Sequence, residues 1–148
     1  MRLGAGATPV NVLLVEDSPS DVEFTTEALK ESKLYINLDV VSDGVEALAF
    51  LRREGKYADA PRPNLVLLDL NLPRKGGLEV LEDIRADEDL KRLAVVILTT
   101  SSAEQDIITS YDLHANCYVT KPVDMAGFVR VVNAIQDFWF TVVQVSPE

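Results

Sequence analysis

Short apolar runs recur along the chain, and each stops at a polar group. Residues 10–15 (VNVLLV) end at Glu16-Asp17, residues 65–68 (LVLL) at Asp69, residues 95–98 (VVIL) at Thr99-Thr100, and residues 116–120 at Lys121-Pro122. A continuous apolar run bounded by turn signals reads as a strand buried on both faces. Residues 36–41 (INLDVV) alternate and are rich in β-branched side chains, which adds one more strand, second in chain order. Between the runs the spacing becomes helical. Val22, Ala28 and Leu29 follow the cap Ser18 and Pro19, a residue suited to a first helical turn; Val45, Leu48, Ala49 and Leu51 follow the cap Asp43 and stop at Arg52-Arg53. Leu78, Val80, Leu81 and Ile84 predict a third helix. Ser101 and Glu104 have capping-box spacing ahead of Ile107, Ile108 and Tyr111, and Asp124 precedes a last stripe of Phe128, Val131, Val132 and Ile135.

Strand and helix thus alternate five times, which predicts an α/β fold: a doubly wound, five-stranded parallel sheet with helices on both faces and right-handed crossovers. Ligand chemistry in such sheets gathers outside the carboxyl ends of the strands. Glu16, Asp17, Asp69, Thr99 and Lys121 all fall at predicted carboxyl ends, so a single crevice collects them.

Composition narrows the reading. A length of 148 residues suits one domain, taken as 10–137, with a loose leader over 1–9 and an apolar C-terminal extension over 138–148. A net charge of −10 argues against nucleic acid as a partner held through a general phosphate-attracting field. The apolar runs are too short to span a membrane, and the leader has no stretch resembling a secretory signal. One cysteine, Cys117, cannot form an internal disulfide, which fits a reducing, cytoplasmic setting.

Three carboxylates and a lysine in one crevice suit a hard divalent cation with few protein ligands and retained waters, a description that fits Mg²⁺. Asp17 and Asp69 are the expected direct ligands, with Glu16 acting directly or through water. Asp69 is then the candidate nucleophile toward phosphorus, since a carboxylate can form an acyl phosphate. The Lys121 ammonium and the Thr99 hydroxyl are placed to meet the phosphoryl oxygens. Asn71 and Ser101 lie beside the acceptor and are expected to tune water access, hence the lifetime of the phosphoryl group. Movement of Thr99 toward Asp69 would open space for Tyr118 to turn inward, biasing a two-state face of helix four, strand five and helix five. His114, close to the end of helix four, reads as a surface residue, with no metal role.

These residues resemble a response-regulator receiver domain over roughly residues 10–136. The motifs are the acid pair Glu16-Asp17, the acceptor strand Leu67 to Pro73 with Gly77, the switch position Thr99, and Tyr118 followed by Lys121-Pro122. The resemblance implies the flavodoxin-like strand order 2-1-3-4-5 and a histidine kinase that donates its phosphoryl group to Asp69. It also implies Mg²⁺ held by Asp17, Asp69 and the backbone carbonyl of Asn71. The stretch from Leu98 to Ser102, the loop from Gly55 to Asn64 and the Phe138-Trp139-Phe140 tail resemble the small regulators associated with phytochrome-type histidine kinases. Such a protein promotes only its own phosphorylation and dephosphorylation and acts through an unidentified downstream protein.

Other classes fit less well. An aspartate-nucleophile phosphatase of the haloacid-dehalogenase type needs a second acid two residues after the nucleophile, where this chain has Asn71. A flavodoxin-like flavin binder would place its phosphate against Glu16 and Asp17, which repel it. A docking module that works without phosphorylation has no need of the intact Asp17, Asp69 and Lys121. In the extension, Phe138, Trp139, Phe140, Val142, Val143 and Val145 have little core left to enter once helix five has packed. The expectation is a homodimer built through that tail.

Overall fold

The computed structural model describes residues 2–3, 9–30, 35–100, 103–121 and 130. Its strands are β1 (Arg2–Leu3), β2 (Pro9–Val15), β3 (Tyr35–Val41), β4 (Leu65–Leu68), β5 (Ala94–Thr99) and β6 (Cys117–Thr120). The helices are α1 (Pro19–Lys30), α2 (Gly44–Leu51), α3 (Gly77–Ala86) and α4 (Glu104–Asp112). The sheet order is β1-β3-β2-β4-β5-β6. Strands β2 to β6 are parallel and follow the expected 2-1-3-4-5 order. The difference lies at the edge: the leader, expected to be loose, contributes β1, which pairs antiparallel with Ile36 and Asn37 of β3. Two residues carry no readable periodicity, so nothing in the sequence marks them as a strand.

Alternation along each parallel strand sorts the apolar side chains onto two faces. Leu13, Val15, Val66, Leu68, Val95 and Ile97 point to one side, against Ala47, Leu48 and Leu51 of α2 and Val80, Leu81 and Ile84 of α3. Val12, Leu14, Ile36, Leu38, Leu65, Leu67, Val96 and Leu98 point to the other, where Ala28 and Leu29 of α1 pack on them. All four residues of β4 are buried, as a central strand covered on both faces requires.

Helix signals read from the sequence hold where the residues are described. Ser18 Oγ accepts from the Asp21 backbone N–H at 3.4 Å at the start of α1. Asp43 caps α2 by accepting from the Glu46 N–H at 2.8 Å. The capping box expected from Ser101 to Glu104 does not open α4: that helix begins after Ala103, without a side-chain cap, and Ser101 lies outside the described residues. Helix five and the 138–148 extension lie outside them as well. At the far end of α4, Arg85 of α3 donates to the carbonyls of Leu113 and His114 and also to those of Lys91 and Leu93, at 2.6–3.1 Å. One guanidinium thereby ties α3, the turn before β5 and the carboxyl end of α4 together.

Candidate functional site at the carboxyl edge of the sheet

Strand register decides which side chains meet. Val15 pairs with Leu68, so β2 and β4 finish level and Glu16 and Asp69 leave the sheet side by side; Leu68 pairs with Ile97, and β5 runs two residues further to Thr99, which pairs with Thr120 of β6. The backbone holds the exits in place: Asp69 N–H donates to Val15 O at 3.1 Å, Glu16 N–H to Val41 O at 3.0 Å, and Lys121 N–H to Thr99 O at 2.6 Å. Below the acceptor, α3 starts against the same turn. A Cβ on Gly77 would stand 2.3 Å from the Asp69 carbonyl oxygen and 2.6 Å from Leu70 Cα, so only glycine fits there.

Glu16, Asp17 and Asp69 present carboxylate oxygens that all lie within 4.8 Å of one another. Glu16 and Asp69 are 3% and 6% exposed, whereas Asp17 opens to solvent. The Lys121 ammonium reaches Glu16 Oε2 at 2.6 Å, Asp21 Oδ2 at 2.9 Å and Asp69 Oδ2 at 3.4 Å. Asp69 Oδ1 accepts from the Asn71 N–H at 3.0 Å. The Asn71 amide donates to the hydroxyl oxygens of Thr99, at 3.3 Å, and Thr100, at 3.2 Å. Thr99 is fully buried; Tyr118, one strand over, is half-buried against the core that β4 and β5 share.

The two buried acids are pulled in opposite directions. Burial raises the Glu16 carboxyl, with the nearby Asp69 charge adding to it, and the hydrogen bond from Lys121 only partly offsets this. Burial would also raise Asp69, but the Asn71 N–H, the Thr99 hydroxyl and the Lys121 charge outweigh it and hold that carboxyl below its usual range. Asp69 is thereby kept ionised, the form in which it has a lone pair to give. Lys121 loses some basicity to burial and regains more from Glu16, Asp21 and Asp69, so its pKa stands above the ordinary lysine value.

An all-oxygen set of clustered carboxylates fits a hard divalent cation. The residues expected to converge, Glu16, Asp17, Asp69, Asn71, Thr99 and Lys121, do so. Ser101 and the tail residues Phe138, Trp139, Phe140, Val142 and Val143 lie outside the described residues. His114 is exposed in the turn after α4, away from any acid cluster among the described residues. Two participants went unread in the sequence. Asp21, on α1, turns into the pocket; its placement four residues after Asp17, in the first turn behind Pro19, was the available signal. Arg74, in the left-handed region at φ 66°, ties the acceptor loop to α2 through Asp43 at 3.2 Å, and a lone arginine in a turn gives no such signal.

A doubly wound sheet whose carboxyl edge gathers Glu16, Asp17 and the strand-end Asp69 around the Lys121 ammonium is a flavodoxin-like fold with an acidic pocket able to hold a cation. The chain belongs to the response regulator receiver domain family, whose model matches residues 12–133. Response regulator Rcp1 of Synechocystis is 49% identical over 135 residues, 91% of this chain and 92% of that protein. Among solved structures, the phosphorylated cyanobacterial phytochrome response regulator RcpA is 48% identical with a TM-score of 0.82 over 90% of this chain and 96% of that one. The Mn²⁺-bound form of Rcp1 is likewise 48% identical, with a TM-score of 0.81 and the same coverage.

Proposed function

We propose that this receiver is a phospho-accepting switch: Asp69 takes a phosphoryl group from a histidine kinase, and a downstream protein reads the result on the face formed by α4, β6 and helix five. The observation that carries the reading is the convergence of the Lys121 ammonium on Glu16 and Asp69, beside the Asp17 carboxylate, at the level carboxyl ends of β2 and β4. A carboxylate oxygen of Asp69 attacks phosphorus, a P–O bond forms as the P–N bond of a phosphohistidine breaks, and the leaving imidazole keeps the electron pair and takes up a proton. Glu16, Asp17, Asp69 and the Asn71 carbonyl would hold Mg²⁺, which when bound neutralises charge on the phosphoryl oxygens. Lys121 donates to those oxygens from the other side, and Thr99 and the backbone N–H groups after Asp69 complete the set.

Switching follows from the same contacts. Thr99 moves toward a phosphoryl group on Asp69, Tyr118 turns into the space it leaves, and α4 responds. Exposed Ile108 and Tyr111 on α4 offer the downstream protein an apolar handle. Asn71 and Ser101 flank the acceptor and govern water access, setting how long the phosphoryl group lasts. Similarity to Rcp1 and RcpA favours a phytochrome-type kinase as the donor. Among the described residues no helix is long and apolar enough to cross a membrane, which agrees with action in the cytoplasm.

Intact-mass measurement after incubation with acetyl phosphate and Mg²⁺ tests the acceptor. Wild type is expected to gain one phosphoryl group, Asp69→Asn none, and chelation of the metal to suppress the wild-type adduct. An adduct of equal yield on the variant would overturn the assignment. Wild type that never gains the group, yet captures the same partner, would instead favour a docking module.

A further inference from the structure

Every donor of the Lys121 ammonium is already committed. The group carries three N–H bonds, and three carboxylates surround it: Glu16 at 2.6 Å, Asp21 at 2.9 Å and Asp69 at 3.4 Å. A phosphoryl group on Asp69 brings new acceptor oxygens, and Lys121 can serve one only by loosening an existing contact. The three partners differ in what release costs. The side chains of Glu16 and Asp69 are 2% and 8% exposed, so neither is readily rehydrated, whereas that of Asp21 is 40% exposed and water can take the place of the ammonium. Asp21 also lies in the first turn of α1, where the helix dipole steadies a carboxylate that has lost its partner.

We propose that Asp21 is a positioning residue that holds the Lys121 ammonium toward α1 and competes with the phosphoryl group for it, thereby setting how tightly Asp69 holds that group. The inference rests on Asp69 being the acceptor. Neutralising Asp21 removes the competitor's charge while Glu16, the shorter and more buried contact, keeps Lys121 in the pocket. Freed donor capacity and reduced negative charge act in the same direction.

Beryllofluoride, a phosphoryl mimic, with saturating Mg²⁺ supplies the test, read by NMR titration of the full chain. Asp21→Asn is expected to bind it roughly two- to fivefold more tightly than wild type, the range a partly exposed ion pair supports. Asp21→Glu, which keeps the charge, should return to wild-type affinity, and the gain should shrink as salt screens the pair. A second readout needs neither metal nor mimic: the Lys121 ¹³Cε signal should move in Asp21→Asn and return in Asp21→Glu. Unchanged or weaker binding by Asp21→Asn, or an unmoved Lys121 signal, would overturn the proposal. Failure of the acceptor reading looks different, because then Asp69→Asn binds the mimic as well as wild type does, or wild type does not bind it.

Discussion

Glu16 and Asp69 sit side by side, yet their protonation couples to stability with opposite signs. Burial raises Glu16 above its ordinary 4.5, so between that value and the raised one the folded chain binds a proton more strongly than the unfolded chain. Metal-free stability is therefore expected to rise as pH falls from neutral into that window. Asp69 is held below its ordinary 3.8; its contribution is present above that value and is lost as pH falls through the lowered one, which turns the trend over in stronger acid. Urea midpoints in chelator between pH 7 and 4.5 check this. Wild type should gain stability on acidification and Glu16→Gln should lose most of that gain. At this scale the convergence of Glu16, Asp17, Asp69, Thr99 and Lys121 was legible, because each follows or ends an apolar run. Asp21 and Arg74 were not, since their roles depend on which element they face, and one-dimensional spacing leaves that open.

At the scale of elements, two junctions fix the pocket from outside. The buried Asp43 both caps α2 and receives Arg74 from the acceptor loop, so one side chain serves a helix start and the loop carrying Asn71. Replacing it with alanine should cost about 1–2 kcal/mol, the range for losing an N-cap, measured as a shift in urea midpoint at unchanged slope. The Asp43→Ala protein should still accept phosphate, because none of the pocket groups is lost. Arg85 donates to the Leu113 and His114 carbonyls at the carboxyl end of α4, while the amino end of that helix starts after Ala103 without a side-chain cap. The existence of α1 to α4 was readable from spacing, and the strand order from the family resemblance. The start of α4 was misread because serine three residues before glutamate is a common pattern, and here Ala103 is the cap position.

For the whole molecule, we propose a twofold homodimer joined through residues 138–148, since the sequence there carries three aromatic residues and three valines, more apolar side-chain area than soluble monomers usually leave exposed. Light scattering at micromolar concentration should report a dimer for the full chain and a monomer for a chain ending at Gln136; a monomeric full chain, or a dimeric truncation, would show that the tail does not join the subunits. Self-association of another kind is restrained at the β1 edge of the sheet. Strand β3 would otherwise end the sheet with a row of unpaired amides and carbonyls, the template on which further chains add. β1 pairs with Ile36 and Asn37, and Asp39 places a carboxylate on the stretch beyond. A two-residue strand contributes little to folding stability, but among the described residues it and that charge shorten the bare stretch of the β3 edge on which further copies could add.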